Sequence, residues 1–241
     1  MDLSWPYVAG TAAITYVCSV IQGIVGFGFS LFALPLFMQV GMAPPPAVTL
    51  ATVTSAGQRL CSIQRLRKEV PWKLILPLIG AGVLALPAGA WILKVLTLQG
   101  RQKVQLCVGF LIIATVLVQV LARIKPREHV PAAWGYLAAV LSGLLSGFGN
   151  IGGPPVVLWI HAHNWTSERL RVTAQAFTVP MVPFQLVILW VTFGPDVLRA
   201  MLWGVCLFPV AILGSLSGLW LGNRISLRSL RIAALGLLVL L

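Results

Sequence analysis

The chain reads as long apolar runs separated by short polar punctuation, with neither the alternation of a half-buried strand nor the single stripe of a surface helix. Eight runs approach the roughly 20 residues needed to cross a bilayer core of about 30 Å. They are 5–22, 26–40, 44–63, 73–95, 103–122, 131–149, 172–193 and 199–221. Two shorter pieces, 152–162 and 227–241, have the length of half-helices, re-entrant segments or tilted spans. The pattern predicts an all-α polytopic membrane protein of about 8–10 transmembrane or re-entrant helices. Met1 and Asp2 precede the first run without a basic flank, so it does not read as a cleavable signal.

Composition excludes the alternatives. Of 241 residues, 59% are hydrophobic and 9% charged, against about 25% charged in a soluble domain. Lys and Arg number 17 and Asp and Glu 5, for a net charge of +12. The basic residues form short clusters between apolar runs rather than one solvated face, so nucleic acid is not an expected partner. Thirteen of the seventeen fall in the loops 59–73, 123–130, 163–171 and 222–231, and four in 94–103 and 194–199. The positive-inside rule makes the first set cytoplasmic. This requires each Gly-interrupted pair, 5–40 and 131–162, to enter and leave on one side. Counting each pair as a single broken crossing divides the charges almost evenly and removes the signal.

Shifting the chain by 124 residues lays Gly23, Gly26 and Gly28 over Gly147, Asn150 and Gly152, and Thr49 over Thr173. A shift of 129 lays Gly89-Ala90-Trp91 over Gly218-Leu219-Trp220. Two related halves follow, 1–122 and 130–241, joined by the charged linker 123–130. With the loop assignment above, the first starts outside and the second inside, the inverted-repeat organisation of many secondary transporters.

Both halves carry a glycine-rich interruption. The first is Gln22-Gly23-Ile24-Val25-Gly26-Phe27-Gly28-Phe29-Ser30, then Pro35; the second runs from Ser142 through Ser146, Gly147, Gly149, Asn150, Gly152 and Gly153 to Pro154 and Pro155. Glycine costs about 1 kcal/mol and proline about 3 per helical position relative to alanine, so the helices should break here. Broken backbone at membrane depth is tolerated only against protein or a water-filled cavity. The helix start after each break offers N–H groups and the positive end of the helix dipole, an anion site without a charged side chain. Gln22, Ser30, Ser142, Ser146 and Asn150 are the nearby polar side chains. The plainer reading is close helix packing through small residues such as Gly143 and Gly147, which does not account for the prolines.

The first interruption resembles the G-x-x-G-x-G signature, followed by proline, of the TauE/SafE sulfite exporter family (four-toluene-sulfonate uptake permease group). The second resembles its repeat in Ser146, Gly147, Asn150, Gly152, Gly153, Pro154, Pro155, Val156 and Val157. The resemblance implies a bacterial inner-membrane permease that moves sulfite, sulfonates or related sulfur-containing anions, usually outward. The chain departs from the family where Gly28-Phe29-Ser30 replaces a frequent run of three glycines and where Asn150 stands for a usual glycine. Asparagine tolerates left-handed dihedrals, which preserves the backbone.

No Asp or Glu lies inside an apolar run, which disfavours a cation carrier or a carboxylate proton relay. Arg59, on the run that holds Thr52, Ser55 and Gln58, and Arg171, at the start of 172–193, offer planar donor forks to an oxyanion. Their plainer role is anchoring at the cytoplasmic interface. His161 and His163 lack the further ligands of a metal site, and Cys18, Cys61, Cys107 and Cys206 read as packing residues. No phosphate loop, zinc-protease motif or catalytic triad is present, so neither an enzyme nor a cofactor is expected. The expected substrate ligands are the backbones of Gly26, Phe27, Gly28, Asn150, Ile151, Gly152 and Gly153, with Gln22, Ser30, Ser146, Asn150, Arg59 and Arg171 as side chains. The expected partners are a small anion and the bilayer, with a homodimer allowed. An anion channel and a non-transporting scaffold subunit are the alternatives.

Overall fold

The computed structural model describes residues 5–25, 28–66, 68–121 and 130–222, and these are helical with no β-strand among them. In order the helices are α1 (Trp5–Val25), α2 (Phe29–Gln39), α3 (Pro44–Leu66), α4 (Trp72–Leu98), α5 (Arg101–Leu121) and α6 (Ala132–Gly149). There follow α7 (Gly153–His161), α8 (Ser167–Thr178), α9 (Met181–Phe193), α10 (Pro195–Cys206) and α11 (Phe208–Gly222). The all-α expectation holds. Four stretches of the described chain are long and apolar enough to span a membrane: Tyr7–Ile24, Trp72–Leu98, Ala132–Gly149 and Glu168–Phe193. The α10–α11 pair, bent by 51°, makes a fifth when taken as one span.

The exterior differs from that of a soluble protein. Leu84, Val191 and Leu106 are 83%, 75% and 73% exposed, whereas Thr15, Ser19, Thr52 and Ser142 are fully buried. An apolar exterior of this extent suits lipid rather than water. Two of these hydroxyls donate to carbonyls of their own helices: Ser19 Oγ to Thr15 O at 2.6 Å and Thr52 Oγ1 to Val48 O at 2.8 Å. Such bonds satisfy a polar side chain where no water is present.

Several expected boundaries move. The run 172–193 begins earlier, at Ser167, because Thr166 caps α8 by accepting from Arg169 N at 3.3 Å. It is interrupted at Val179 and Pro180 before α9 starts. The run 199–221 begins at Pro195 and divides at Leu207. The glycine-rich breaks are shorter than their composition suggests. Gln22 and Ser146 are still helical, and Ser30, Pro154 and Pro155 already are. The linker 123–130 up to Val130 and the final run 227–241 lie outside the described residues. Cys18 is buried as expected, but Cys206 is exposed, since its position on α10 faces away from the packed side.

The chain divides into two compact units. One comprises residues 1–58 and 196–241, the other 59–195, so that α3 runs from the first into the second. In the first unit α1 packs along α11 with no side chain between the backbones. A Cβ at Gly23 would run into Ser215 O and lie 3.1 Å from Leu219 N; one at Gly218 would run into Val20 O. Tyr16 Oη donates to Ser217 Oγ at 3.2 Å along the same seam.

In the second unit α4 packs along α6 in the same manner. A Cβ at Gly147 would run into Leu86 O and lie 3.0 Å from Ala90 N; one at Gly89 would run into Leu144 O. Residues 23 and 20 become 147 and 144 on adding 124, and 86, 89 and 90 become 215, 218 and 219 on adding 129. The two seams therefore share their carbonyl contacts at the shifts that align the sequence. An apolar core of Ile75, Leu78, Leu86, Val156, Phe177 and Met181 then ties α4 to α6, α7, α8 and α9.

Candidate functional site

The second break is fully described. α6 ends at Gly149, and Asn150 follows in the left-handed region at φ 55°, ψ 29°. That conformation turns the chain so that Asn150 N donates to Ser146 O at 2.8 Å and Ile151 N to Leu145 O at 3.2 Å. Nested bonds of this kind close a helix C-terminus around a left-handed residue. Asparagine is among the few non-glycine residues that adopt it readily. Asn150 thus holds the turn without a glycine.

The chain then folds back against α6. Ser142 Oγ donates to Gly152 O at 2.5 Å, and a Cβ at Gly152 would collide with Ser146 Oγ and Ser142 O. Gly152 has ordinary helical dihedrals, φ −72° and ψ −5°; glycine is required there by space, not by conformation. α7 starts at the next residue with Pro154 and Pro155 in its first turn.

This fixes the donor count. A helix start normally presents four free N–H groups. Asn150 N and Ile151 N are already bonded within the α6 cap, and Pro154 and Pro155 have no N–H. Gly152 and Gly153 are left. Gly153 is half-buried, and a Cβ added there would meet nothing within 4 Å. Of the seven backbone positions expected as ligands, the amides of Asn150 and Ile151 are thus committed to holding the turn.

The first break is described at its edges. α1 runs to Val25, Gly26 and Phe27 fall outside the described residues, and Gly28 caps α2 at φ 98°, ψ 4°. Val25 and Gly149 end their helices 124 residues apart, and Gly28 and Gly152 are the residues before α2 and α7 at the same spacing. Gln22 is buried, and its Oε1 has no hydrogen-bond partner among the described residues. Ser30 is buried in the first turn of α2 and hydrogen-bonded.

Two buried glutamines support the broken helices. Gln58 Nε2 donates to Ser19 Oγ on α1 at 2.8 Å, and Gln185 Nε2 donates to Ser146 O on α6 at 2.7 Å. Gln185 is absent from the residues expected on sequence, although an amide in the middle of the apolar run 172–193, which also holds Gln175, was the available signal. Thr11, Thr15 and Ser19 are absent too; with the expected Gln22 they form a polar stripe of α1, all buried. Its spacing of three and four residues places it on one helix face.

The two arginines differ. Arg59 is half-buried on α3, whereas Arg171 is exposed on the second turn of α8. The single ion pair among the described residues joins exposed Arg199 and Asp196 at 3.8 Å, so Arg59 has no described carboxylate within salt-bridge distance. His161 and His163 each lie against a carbonyl of α7 four residues back. His161 Nδ1 lies 2.7 Å from Val157 O, while His163 stacks on Trp165 at 4.4 Å.

Among curated proteins and solved structures nothing matches the chain. The family model for the sulfite exporter TauE/SafE matches residues 11–241, both glycine-rich breaks included. The apolar helices, the paired breaks and this match over nearly the whole length agree: the chain belongs to the sulfite exporter TauE/SafE family and is a multi-pass membrane transport protein of that sulfur-anion exporter type.

Proposed function

We propose that the protein is a secondary transporter that carries sulfite, a sulfonate or a related small sulfur-containing anion out of the cell across the bacterial inner membrane. It does no chemistry on its cargo. The observation that carries this reading is the break before α7, where Gly152 and Gly153 hold the available amides of a half-helix N-terminus and no acidic side chain stands on α6 or α7. Free N–H groups and the helix dipole favour an anion at such a point. Gly26, Phe27, Gly28, Gln22 and Ser30 supply the corresponding group at the first break, and Arg59 adds positive charge. Arg171, being exposed on α8, contributes to orientation in the membrane.

The two halves, 1–122 and 130–241, act as inverted repeats. Support comes from the matched seams and from helix ends that recur 124 residues apart. In each seam the first helix of one half packs on a later helix of the other: α1 on α11, and α6 on α4. Each half thereby lends a helix to its counterpart. Alternating access in such carriers moves one bundle against another around a fixed site. Packing in which backbone meets backbone makes each seam a rigid body for that motion.

The test is sulfite efflux from proteoliposomes. Asn150→Leu removes a left-handed asparagine and its amide, and Gly152→Leu drives a side chain into Ser142 and Ser146. Both should lower flux at least tenfold. Wild-type flux in both variants, reconstituted in equal amount, contradicts the site.

A further inference from the structure

Four glutamines are buried among the described residues: Gln22, Gln58, Gln175 and Gln185. Gln58 and Gln185 are engaged through Nε2, on Ser19 Oγ and Ser146 O. Gln22 and Gln175, one in each unit, leave Oε1 enclosed and without a hydrogen-bond partner among the described residues. Gln22 is 4% exposed and lies in the last turn of α1, which ends at Val25, where the first break opens. The residue 124 positions on is Ser146, a short side chain whose Oγ sits where a Cβ at Gly152 would be. A long amide at this place therefore belongs to the first unit alone.

The other polar groups of the same stripe are committed elsewhere. Thr11 Oγ1 donates to Tyr7 O and Ser19 Oγ to Thr15 O, while the Gln58 amide donates to Ser19. Thr15 Oγ1 is likewise enclosed without a partner, but seven residues of helix, a rise of about 10.5 Å, separate it from Gln22. A buried amide left unpaired carries its full desolvation penalty, so this position calls for a ligand that brings hydrogen-bonding groups of its own. Turning the amide over does not change the count, since one acceptor and two donors still have to be met.

That count discriminates between anions. A fully deprotonated oxyanion only accepts, so it meets Nε2 and leaves Oε1 facing lone pairs. An anion that also bears an O–H or N–H hydrogen meets both ends of the amide. A site built to hydrogen-bond such a group rejects the analogue that lacks it, because its own buried polar atom is then stranded. Burial gives the requirement its force; in water the amide would be solvated whichever anion came near.

We propose that Gln22 is a specificity-determining residue that selects, among small sulfur-containing anions, those carrying a hydrogen-bond donor, whether a hydroxyl, an ammonium group or the acid proton of hydrogensulfite, over those that only accept. The inference rests on the transporter reading above and adds the form of the cargo.

The test uses the full-length protein in two assays. In detergent, binding is read as the rise in Tm that a ligand of the folded state produces; in proteoliposomes, the same compounds compete with sulfite efflux. The probes are ethanesulfonate, which has no donor, 2-hydroxyethanesulfonate, 2-aminoethanesulfonate, and sulfite at a pH below and a pH above its second ionisation. At least one donor-bearing form should act at a concentration at least tenfold lower than its donor-free counterpart, and the form that does so identifies the group read. Gln22→Met, close in length and without polar atoms, should bring that ratio to within twofold; Gln22→Ala should do the same if the first variant folds poorly. Equal action of donor-bearing and donor-free forms on the unmodified protein, a preference that survives both substitutions, or no Tm shift with any probe would overturn the proposal. A donor-dependent Tm shift that Gln22→Met abolishes, in a protein without sulfite efflux, would uphold the role of Gln22 and contradict the transporter reading instead.

Discussion

The α1–α11 and α4–α6 seams are one design used twice, and their differences separate what holds the fold from what the site needs. Their glycines meet the same backbone atoms: Gly23 and Gly147 lie against residues 215 and 219 and residues 86 and 90, respectively. The stripe of the first helix that leads up to these glycines has diverged. On α1 it reads Thr11, Thr15, Ser19 and Gln22; the positions 124 residues on are Gly135, Ala139, Gly143 and Ser146. In the second unit that face is closed by close approach. A Cβ at Gly143 would run into Gly82 O, and one at Gly135 would lie 3.2 Å from the Trp159 ring. In the first unit it keeps hydroxyls and amides, one of them bonded to Gln58. Both seams keep glycine at 23 and 147, whereas the positions before them on the same stripe carry hydroxyls in the first unit and glycine or alanine in the second.

The largest effect should come from breaking the seams. Gly89→Leu and Gly218→Leu place bulk against a backbone carbonyl that cannot swing away, and overpacking typically costs about 1–3 kcal/mol, occasionally more. Both should lose most monodisperse protein in size-exclusion chromatography, and to a similar degree. A large difference between them would break the equivalence of the two units.

Next are the polar supports. Gln185→Leu removes the bond to Ser146 O and Gln58→Leu the bond to Ser19 Oγ; each bond has a net worth of about 0.5–1.5 kcal/mol. A Tm reduction of a few degrees is expected in each. Ser142→Ala frees Gly152 O and should cost about as much while lowering flux several-fold, because it loosens the half-helix start. The smallest effect belongs to Gly80→Ala. Nothing lies within 4 Å of its Cβ position, and a helix interior gains up to about 1 kcal/mol from the exchange. Its melting point should be unchanged or slightly raised, which marks the distance between a glycine on α4 that packs and one that does not.

Much of this was legible because the glycines are spaced by backbone geometry. Gly23, Gly28, Gly147 and Gly152 cannot drift without moving a helix end or opening a seam, so a shift of 124 survives even where side chains differ. The family signature lies on the same residues. The extent of each break was less legible. Ser146 and Gln22 look like loop residues beside glycine, but neighbouring helices sustain the helix through them. Hydropathy also failed to register the Val179–Pro180 interruption and the bend at Leu207, since both lie within unbroken apolar sequence. Gln185 was invisible to a search for glycine-rich motifs; a search for amides in apolar runs would have found it. That Asn150 N and Ile151 N serve the α6 cap is a matter of bonding geometry, which composition does not contain.

The central claim is that a backbone amide at the start of α7 holds the transported anion. Gly153→Pro deletes that N–H at a position where proline suits a helix start, while Gly153→Ala keeps it and points a methyl into open space. Sulfite flux in proteoliposomes should fall at least tenfold for Gly153→Pro and stay within twofold of the unmodified protein for Gly153→Ala, with both folded to the same Tm within a few degrees. Equal flux in the two variants would contradict the account.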